Sequence, residues 1–346
     1  MTAVPIADIS AFVGEKNNER ERKEAAKQLA DAVKVNGCAG ITGHGLPEAD
    51  LGEAFSTMRK LFGLPLDDKM KAPHPDGPRP HRGYLATAKE KSGKLGAVWS
   101  TSKSEKEFFA KAIDWKETYD IGHEDNRDQP NVWLPDDILP GFRPQMVKLY
   151  DQLTAVAEAI LEGLMLGMDL TEDECKTLRQ MHSPIEHQIR LAHYLPMNYD
   201  DLNDPNKIRL ASHRDFSSYT LLFQESESGL EFQNRANGEY LPASPREGVM
   251  YLNIGELMER FSNGKPKGLY PSAMHRVAIR PTKDGEKTVP GRFSLPFFTK
   301  IKPAEPIYPL PSRVEADGKA NYEPVGFQDL AKKLFSTLLP TDSPKE

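Results

Sequence analysis

His213 and Asp215 stand two residues apart in Leu210–Phe216, LASHRDF. Read as a strand running into a turn, this segment places both side chains on one face and turns Arg214 away. An imidazole beside a carboxylate is either half of a metal site or a hydrogen-bonded structural pair. A second histidine would decide between them. His275 is the candidate, because it opens the strand-like run His275–Ile279. Two histidines and one carboxylate on one face of an octahedron are the ligand set of non-haem Fe(II) oxygenases. The set leaves positions open for a chelating co-substrate and dioxygen.

Beyond His275 comes Arg292-Phe293-Ser294. In a strand, Arg292 and Ser294 share one face and Phe293, Leu295 and Phe297 the other. A guanidinium turned into a β core costs several kcal/mol unless an anion pairs with it. Its fork suits a carboxylate, and the serine hydroxyl can add a hydrogen bond. A surface arginine on an edge strand is the other reading, and Pro296 is compatible with an edge or a bulge.

These residues need elements to position them. Asn17 or Asn18 can cap a helix whose apolar face carries Ala25, Leu29, Ala32 and Val33. A short strand at Cys38–Thr42 follows. Pro47 opens a second helix, with Leu51, Ala54, Phe55, Met58, Leu61 and Phe62 at helical spacing, and Pro65 closes it. From Asp67 to Pro140 the pattern weakens, and the Lys-rich stretch Lys89–Lys111 reads as solvated loop or surface. Met146–Met168 is a long amphipathic helix. After Ile185 come short strands at Ile189–Leu195, Tyr219–Gln224, Leu230–Gln233, Val249–Ile254, His275–Ile279 and Arg292–Thr299. Their close spacing predicts an antiparallel sandwich or barrel. Phe327–Leu339 reads as a final helix and the last residues as disordered.

The 346 residues carry a net charge of −6 and no face-sized Lys/Arg cluster, so no nucleic-acid partner is expected. Two distant cysteines, Cys38 and Cys175, argue against a disulfide framework or a structural zinc site. No signal peptide and no run of about 18 apolar residues is found. A soluble protein in a reducing, cytoplasmic setting, without a membrane partner, is the expectation. The sequence leaves the oligomeric state open.

The ordered set of motifs resembles the isopenicillin-N-synthase-like family of Fe(II)/2-oxoglutarate-dependent dioxygenases. It comprises His213-x-Asp215, Gly229-Leu230-Glu231-Phe232, Asn253-Ile254-Gly255-Glu256, Asn263-Gly264, His275-Arg276-Val277 and Arg292-Phe293-Ser294. Upstream, Val4-Pro5-Ile6-Ala7-Asp8, Gly43-His44-Gly45, Arg82-Gly83-Tyr84 and Asp114-Trp115-Lys116-Glu117 are similar to the same family's N-terminal region. The resemblance implies an α+β chain: a double-stranded β-helix (jelly roll) core with a helical N-terminal region and buttressing helices. The implied divisions are 1–120 (helical N-terminal region), 121–184 (long buttressing helix and connections), 185–300 (jelly-roll core) and 301–346 (C-terminal extension with a helix).

It further implies Fe(II) on His213, Asp215 and His275, with 2-oxoglutarate chelating the iron and its distal carboxylate on Arg292 and Ser294. Tyr194 matches a tyrosine that also contacts the co-substrate. Ala192 stands where many plant members carry asparagine. O2 is then the oxidant, 2-oxoglutarate gives succinate and carbon dioxide, and a C–H bond of a small organic substrate is hydroxylated, desaturated or closed into a ring. Specialised metabolism is the setting the resemblance suggests. Glu256 replaces the commoner aspartate, and the stretches Asn263–His275 and Pro281–Gly291 are longer than usual. Phe216 and Phe298 are candidates for the substrate pocket, with core packing as the alternative. Tyr84, Phe108 and Trp115 are candidates to close over it from the N-terminal half.

Three other functions fit parts of the pattern. An iron oxidase that does without 2-oxoglutarate, like isopenicillin N synthase or the plant ethylene-forming oxidase, keeps the same triad and Arg-x-Ser pair. A catalytically inactive homologue acting as a binding protein would have no need of all three ligands. A cupin-like metal enzyme would leave the N-terminal motifs unexplained.

Overall fold

The computed structural model describes residues 3–14, 18–75, 81–90, 92–100, 102–264, 269–279 and 288–330. Its twelve principal strands are β1 (Ile6–Asp8), β2 (Cys38–Thr42), β3 (Gly83–Leu85), β4 (Lys116–Gly122), β5 (Gln188–Tyr194), β6 (Leu210–His213), β7 (Tyr219–Gln224), β8 (Leu230–Gln233), β9 (Tyr240–Pro242), β10 (Met250–Ile254), β11 (His275–Val277) and β12 (Arg292–Phe298). Eight of them form one sheet in the order β1-β2-β10-β7-β12-β5-β4-β3. The other four form a second sheet, β9-β8-β11-β6. The two sheets make the sandwich that the strand spacing predicts, in the jelly-roll form that the family resemblance implies.

The large sheet has two different faces because side chains alternate along each strand. Lys116, Tyr194 and Arg292 lie in one cross-strand row, and Thr118, Ala192, Ser294 and Gln224 in the next. This face looks toward the small sheet. The residues between them, among them Tyr119, Leu191, Leu295 and Phe297, are buried on the opposite face in the main apolar core.

Helices cover that core. Asn18 caps α1 (Glu19–Val33) by accepting from the Arg20 and Glu21 N–H groups. The Ala25, Leu29, Ala32 and Val33 face of α1 packs on the long helix α2 (Phe142–Gly167), which buries Leu149, Leu153, Ile160 and Leu164. No helix among the described residues is long and apolar enough to cross a membrane. Cys38 and Cys175 are both free.

The weak stretch between Asp67 and Pro140 holds more structure than its pattern suggests. Lys116–Gly122 is buried along its whole length and lies inside the large sheet, although Lys116, Glu117 and Asp120 give it the composition of a surface segment. The Lys89–Lys111 stretch is not a loop but two helices, α3 (Ser92–Trp99) and α4 (Lys103–Lys111). Ser92 starts the first, donating its N–H and hydroxyl to Asp114 at 2.8 and 2.6 Å. The expected C-terminal helix is helical at 327–330, and the rest of it, with the last residues, lies outside the described residues.

Candidate metal centre

His213 ends β6 and His275 begins β11, and antiparallel pairing sets the two directly opposite each other. Their ring centroids are 4.3 Å apart. Asp215 follows in the turn after β6. Its Oδ1 lies 3.3 Å from His213 Nε2 and 3.7 Å from His275 Nε2. One ligand atom from each of the three falls within 4.8 Å of the others, and all three residues are buried. Donors at about 2.1 Å from a common ion, at right angles to each other, stand about 3 Å apart, so this spacing fits three cis ligands.

The surroundings fix the chemical state of each donor. His213 Nδ1 lies 2.9 Å from the Ala211 carbonyl and His275 Nδ1 3.2 Å from that of Ala273. A carbonyl only accepts, so each Nδ1 carries the proton and each Nε2 presents a lone pair to the site. Burial, reinforced by neighbouring His213, pushes His275 down to about 4, which keeps the imidazole neutral. Burial alone would raise the Asp215 carboxyl. His275, His213 and the Thr220 hydroxyl outweigh it and hold the group below the usual carboxylate range.

Asp215 Oδ2 accepts from Thr220 Oγ1 at 2.6 Å and from Asn253 Nδ2 at 2.8 Å, which leaves Oδ1 facing the site beside the two Nε2 lone pairs. The turn is clamped by backbone bonds from Glu256 to Asp215 and from Gly255 to Ser218. Arg214, expected to point away, instead lines the cavity next to the triad. It lies 3.2 Å from Glu259, donates to the Ser272 carbonyl and sits over the Trp99 ring. The strand ends at His213, so the alternation that would have turned Arg214 outward does not extend that far.

The triad opens into a cavity of about 1130 Å³, mouth included, between the two sheets. Tyr194, Ser294, Phe216 and Phe298 line it. Arg292 is fully buried at the inner end of the row it shares with Tyr194, its guanidinium 5.0 Å from the Tyr194 ring centre. Nη2 donates to Gln224 Oε1 at 2.8 Å, while Nε and Nη1 have no partner. Arg209 lies near it, 2% exposed, and donates to the Pro290 carbonyl with its Nε unpartnered. Among the described residues neither arginine has a carboxylate ion-pair partner. Burial lowers both; the proximity of Arg292 adds to the effect on Arg209, which falls to about 10. Two buried guanidinium groups with free N–H donors have the charge and the donors that a carboxylate would match.

Three expected pocket residues are elsewhere. Tyr84 pairs with Tyr119, so it belongs to the opposite face of the sheet, where its hydroxyl donates to Glu117 at 2.5 Å. Phe108 is 40% exposed on α4. Trp115 donates Nε1 to the Pro196 carbonyl and lies under Lys207 Nζ. None of the three lines the cavity. The sequence motifs include Asn253 and Lys116 but give them no role, and Arg209, Thr220, Glu90, Thr118 and Arg190 stand outside the expected site residues. Arg209 alone had a local signal, a lone cation next to the apolar residues Ile208 and Leu210.

Residues 185–301 match the 2OG-Fe(II) oxygenase superfamily, and residues 4–136 match the N-terminal region of the non-haem dioxygenase in morphine synthesis. The 2-oxoglutarate-dependent dioxygenase frbA of Dothideomycetidae sp. (strain 11243) is 31% identical over 314 residues, 89% of each chain. The proline hydroxylase buaE of Petromyces alliaceus is 31% identical over 93% of this chain and 96% of its own. Among solved structures, a full-length Neurospora crassa protein crystallised in complex with alpha-KG superposes with a TM-score of 0.81 at 28% identity, over 96% of both chains. The same Neurospora crassa protein in complex with alpha-KG and thymine also gives 0.81, at 28% identity over 96% of this chain and 97% of that one.

Proposed function

The chain belongs to the 2OG-Fe(II) oxygenase superfamily and is an Fe(II)- and 2-oxoglutarate-dependent dioxygenase, and we propose that His213, Asp215 and His275 hold its iron. One observation carries this assignment: two Nε2 lone pairs and one carboxylate oxygen converge, each fixed by a partner on its far side. We place the distal carboxylate of 2-oxoglutarate on Arg292 and Arg209, with Ser294 and Tyr194 beside it. The unpartnered guanidinium nitrogens support this placement.

Bound there, the iron supplies the redox chemistry by which dioxygen converts 2-oxoglutarate to succinate and carbon dioxide and oxidises a substrate C–H bond. The protein's part is positioning. Thr220 and Asn253 keep Asp215 from rotating. The Ala211 and Ala273 carbonyls accept from the two Nδ1 groups and so fix the ring tautomer and orientation that aim each Nε2 at the site. The buried arginines would hold the distal carboxylate of the co-substrate through their unpartnered N–H groups. Phe216 and Phe298 give the substrate an apolar surface in the same cavity. The substrate is a small organic molecule in this reading, and the 2-oxoglutarate-independent oxidase is not favoured.

Metal content and co-substrate turnover test the assignment. Wild type should carry one iron per chain and release succinate only when 2-oxoglutarate is present. His213→Ala and Asp215→Ala should lose the metal yet keep the wild-type circular dichroism. Stoichiometric iron in either variant would place the metal elsewhere.

A further inference from the structure

The iron and 2-oxoglutarate sites leave one polar side of the cavity unused, and it is built on the neighbouring strands β4 and β5. Arg190 directs Nε and Nη2 to Asp120 at 2.8 and 3.1 Å and Nη1 to Glu90 at 2.9 Å. A guanidinium has five N–H donors, so two remain. Lys116 Nζ lies 2.8 Å from Glu90 and, beyond hydrogen-bond reach, 3.7 Å from Asp114, which leaves two of its three donors. Glu90, Lys116 and Arg190 line the cavity, whereas Asp114 and Asp120 lie behind it.

Between them stands Thr118. It lines the cavity, is 1% exposed, and its hydroxyl has no partner. Ala192, directly opposite in register, has no polar atom to offer it. A buried hydroxyl left unmatched is destabilising, so a ligand that meets it recovers that loss.

The unused capacity is therefore mostly for donating, which calls for an acceptor oxygen. Charge narrows the choice further. The carboxylates of Glu90, Asp114 and Asp120 are matched in number by Lys116, Arg190 and Lys300 in the same wall. A carboxylate arriving there would bring an unbalanced buried charge, and a neutral carbonyl would not. The wall also reaches the reaction centre. The Arg190 guanidinium is 6.0 Å from the Phe298 ring centre, and Phe298 pairs in register with Thr220, which holds Asp215.

We propose that Lys116, Thr118 and Arg190 form the substrate subsite, and that it takes the carbonyl oxygen of an uncharged, amide-like substrate whose apolar part lies against Phe216 and Phe298. This rests on the placement of iron and co-substrate given above.

The test uses the full-length protein with Mn(II) and N-oxalylglycine in place of iron and co-substrate, titrated by calorimetry. The probes are phenylacetamide, phenylacetate and phenethylamine, which share a ring and differ in the polar group. Phenylacetamide should bind tightest. Thr118→Val, nearly isosteric, should weaken it about fivefold to tenfold, and Arg190→Lys should do the same by removing the fork. Both variants should bind N-oxalylglycine as wild type does. Tighter binding of the acid or the amine, no preference among the three, or an unmoved amide affinity in Thr118→Val would overturn the proposal. So would a loss of N-oxalylglycine affinity in Thr118→Val, which would give that hydroxyl to the co-substrate. If wild type binds no N-oxalylglycine at all, the metal-site reading fails and takes this inference with it.

Discussion

At the residue scale, the site depends on groups that do not touch the metal. Asn253 and Thr220 both bond the outer oxygen of Asp215. Removing such a partner typically costs a metal site about tenfold to 100-fold in affinity. Asn253→Ala should therefore bind iron about 10–100 times more weakly, measured by competition with a chelator of known affinity. In the proposed 2-oxoglutarate site, Arg292→Ala should weaken 2-oxoglutarate binding about 100-fold or more, and Arg292→Lys less, because lysine keeps the charge but not the fork. Arg209→Ala should also weaken it, with iron affinity unchanged. Equal 2-oxoglutarate affinity in Arg209→Ala and wild type would remove Arg209 from the receptor.

At the scale of elements, register and turn geometry bring the ligands together. His213 and His275 meet because β6 and β11 pair at that residue. The turn holding Asp215 packs against Gly255, where an added Cβ would come within 2.1 Å of the Ser217 carbonyl oxygen. Gly255→Ala should displace that turn, lowering both the melting temperature and iron affinity. Gly52, exposed within the helix Glu48–Gly63, has nothing within 4 Å of a Cβ. Gly52→Ala should stabilise the protein by about 0.5–1 kcal/mol. A stabilising Gly255→Ala would show that the turn tolerates the clash.

These elements also show what could be read from sequence. The runs Tyr219–Gln224 and Leu230–Gln233 are strands with the expected ends, because apolar runs bounded by turn residues carry their own signal. Lys116–Gly122 gives no such signal, since its buried charges are matched by residues far away in the chain, Glu90 and Arg190 among them. Tyr84 illustrates the same limit. Its motif is recognisable, but only the register with Tyr119 reveals which face of the sheet it takes. The triad was legible as residue types. Its convergence depends on a pairing of strands that local sequence does not specify.

At the scale of the whole molecule, four histidines away from the triad are buried, His44, His81, His182 and His187, and burial lowers each of them. Burial is the first cause for each, pushing His182 down to about 4 and His81 and His187 to about 3. Their unfolded values are near 6.5. Below that pH the unfolded chain takes up protons that the folded chain refuses, so the stability these groups contribute is complete above about 6.5 and is lost as pH falls toward their folded values. Each histidine should remove about 1.4 kcal/mol per pH unit in that window. Glu90 and Asp120 are held below the usual carboxylate range, so their contribution is lost only below about pH 4. Urea unfolding followed from about pH 7 to 4.5 should show stability falling steadily. A flat profile would mean that these imidazoles are protonated or hydrated in the folded protein.

The most direct test of the central claim is the visible spectrum of the protein loaded anaerobically with Fe(II) and then given 2-oxoglutarate. A weak, broad metal-to-ligand charge-transfer band should appear, be absent in His213→Ala, and need far more 2-oxoglutarate in Arg292→Ala. Iron that binds without producing the band, or a band that persists undiminished in His213→Ala, would contradict the assignment of His213, Asp215 and His275 as the site where iron and co-substrate meet.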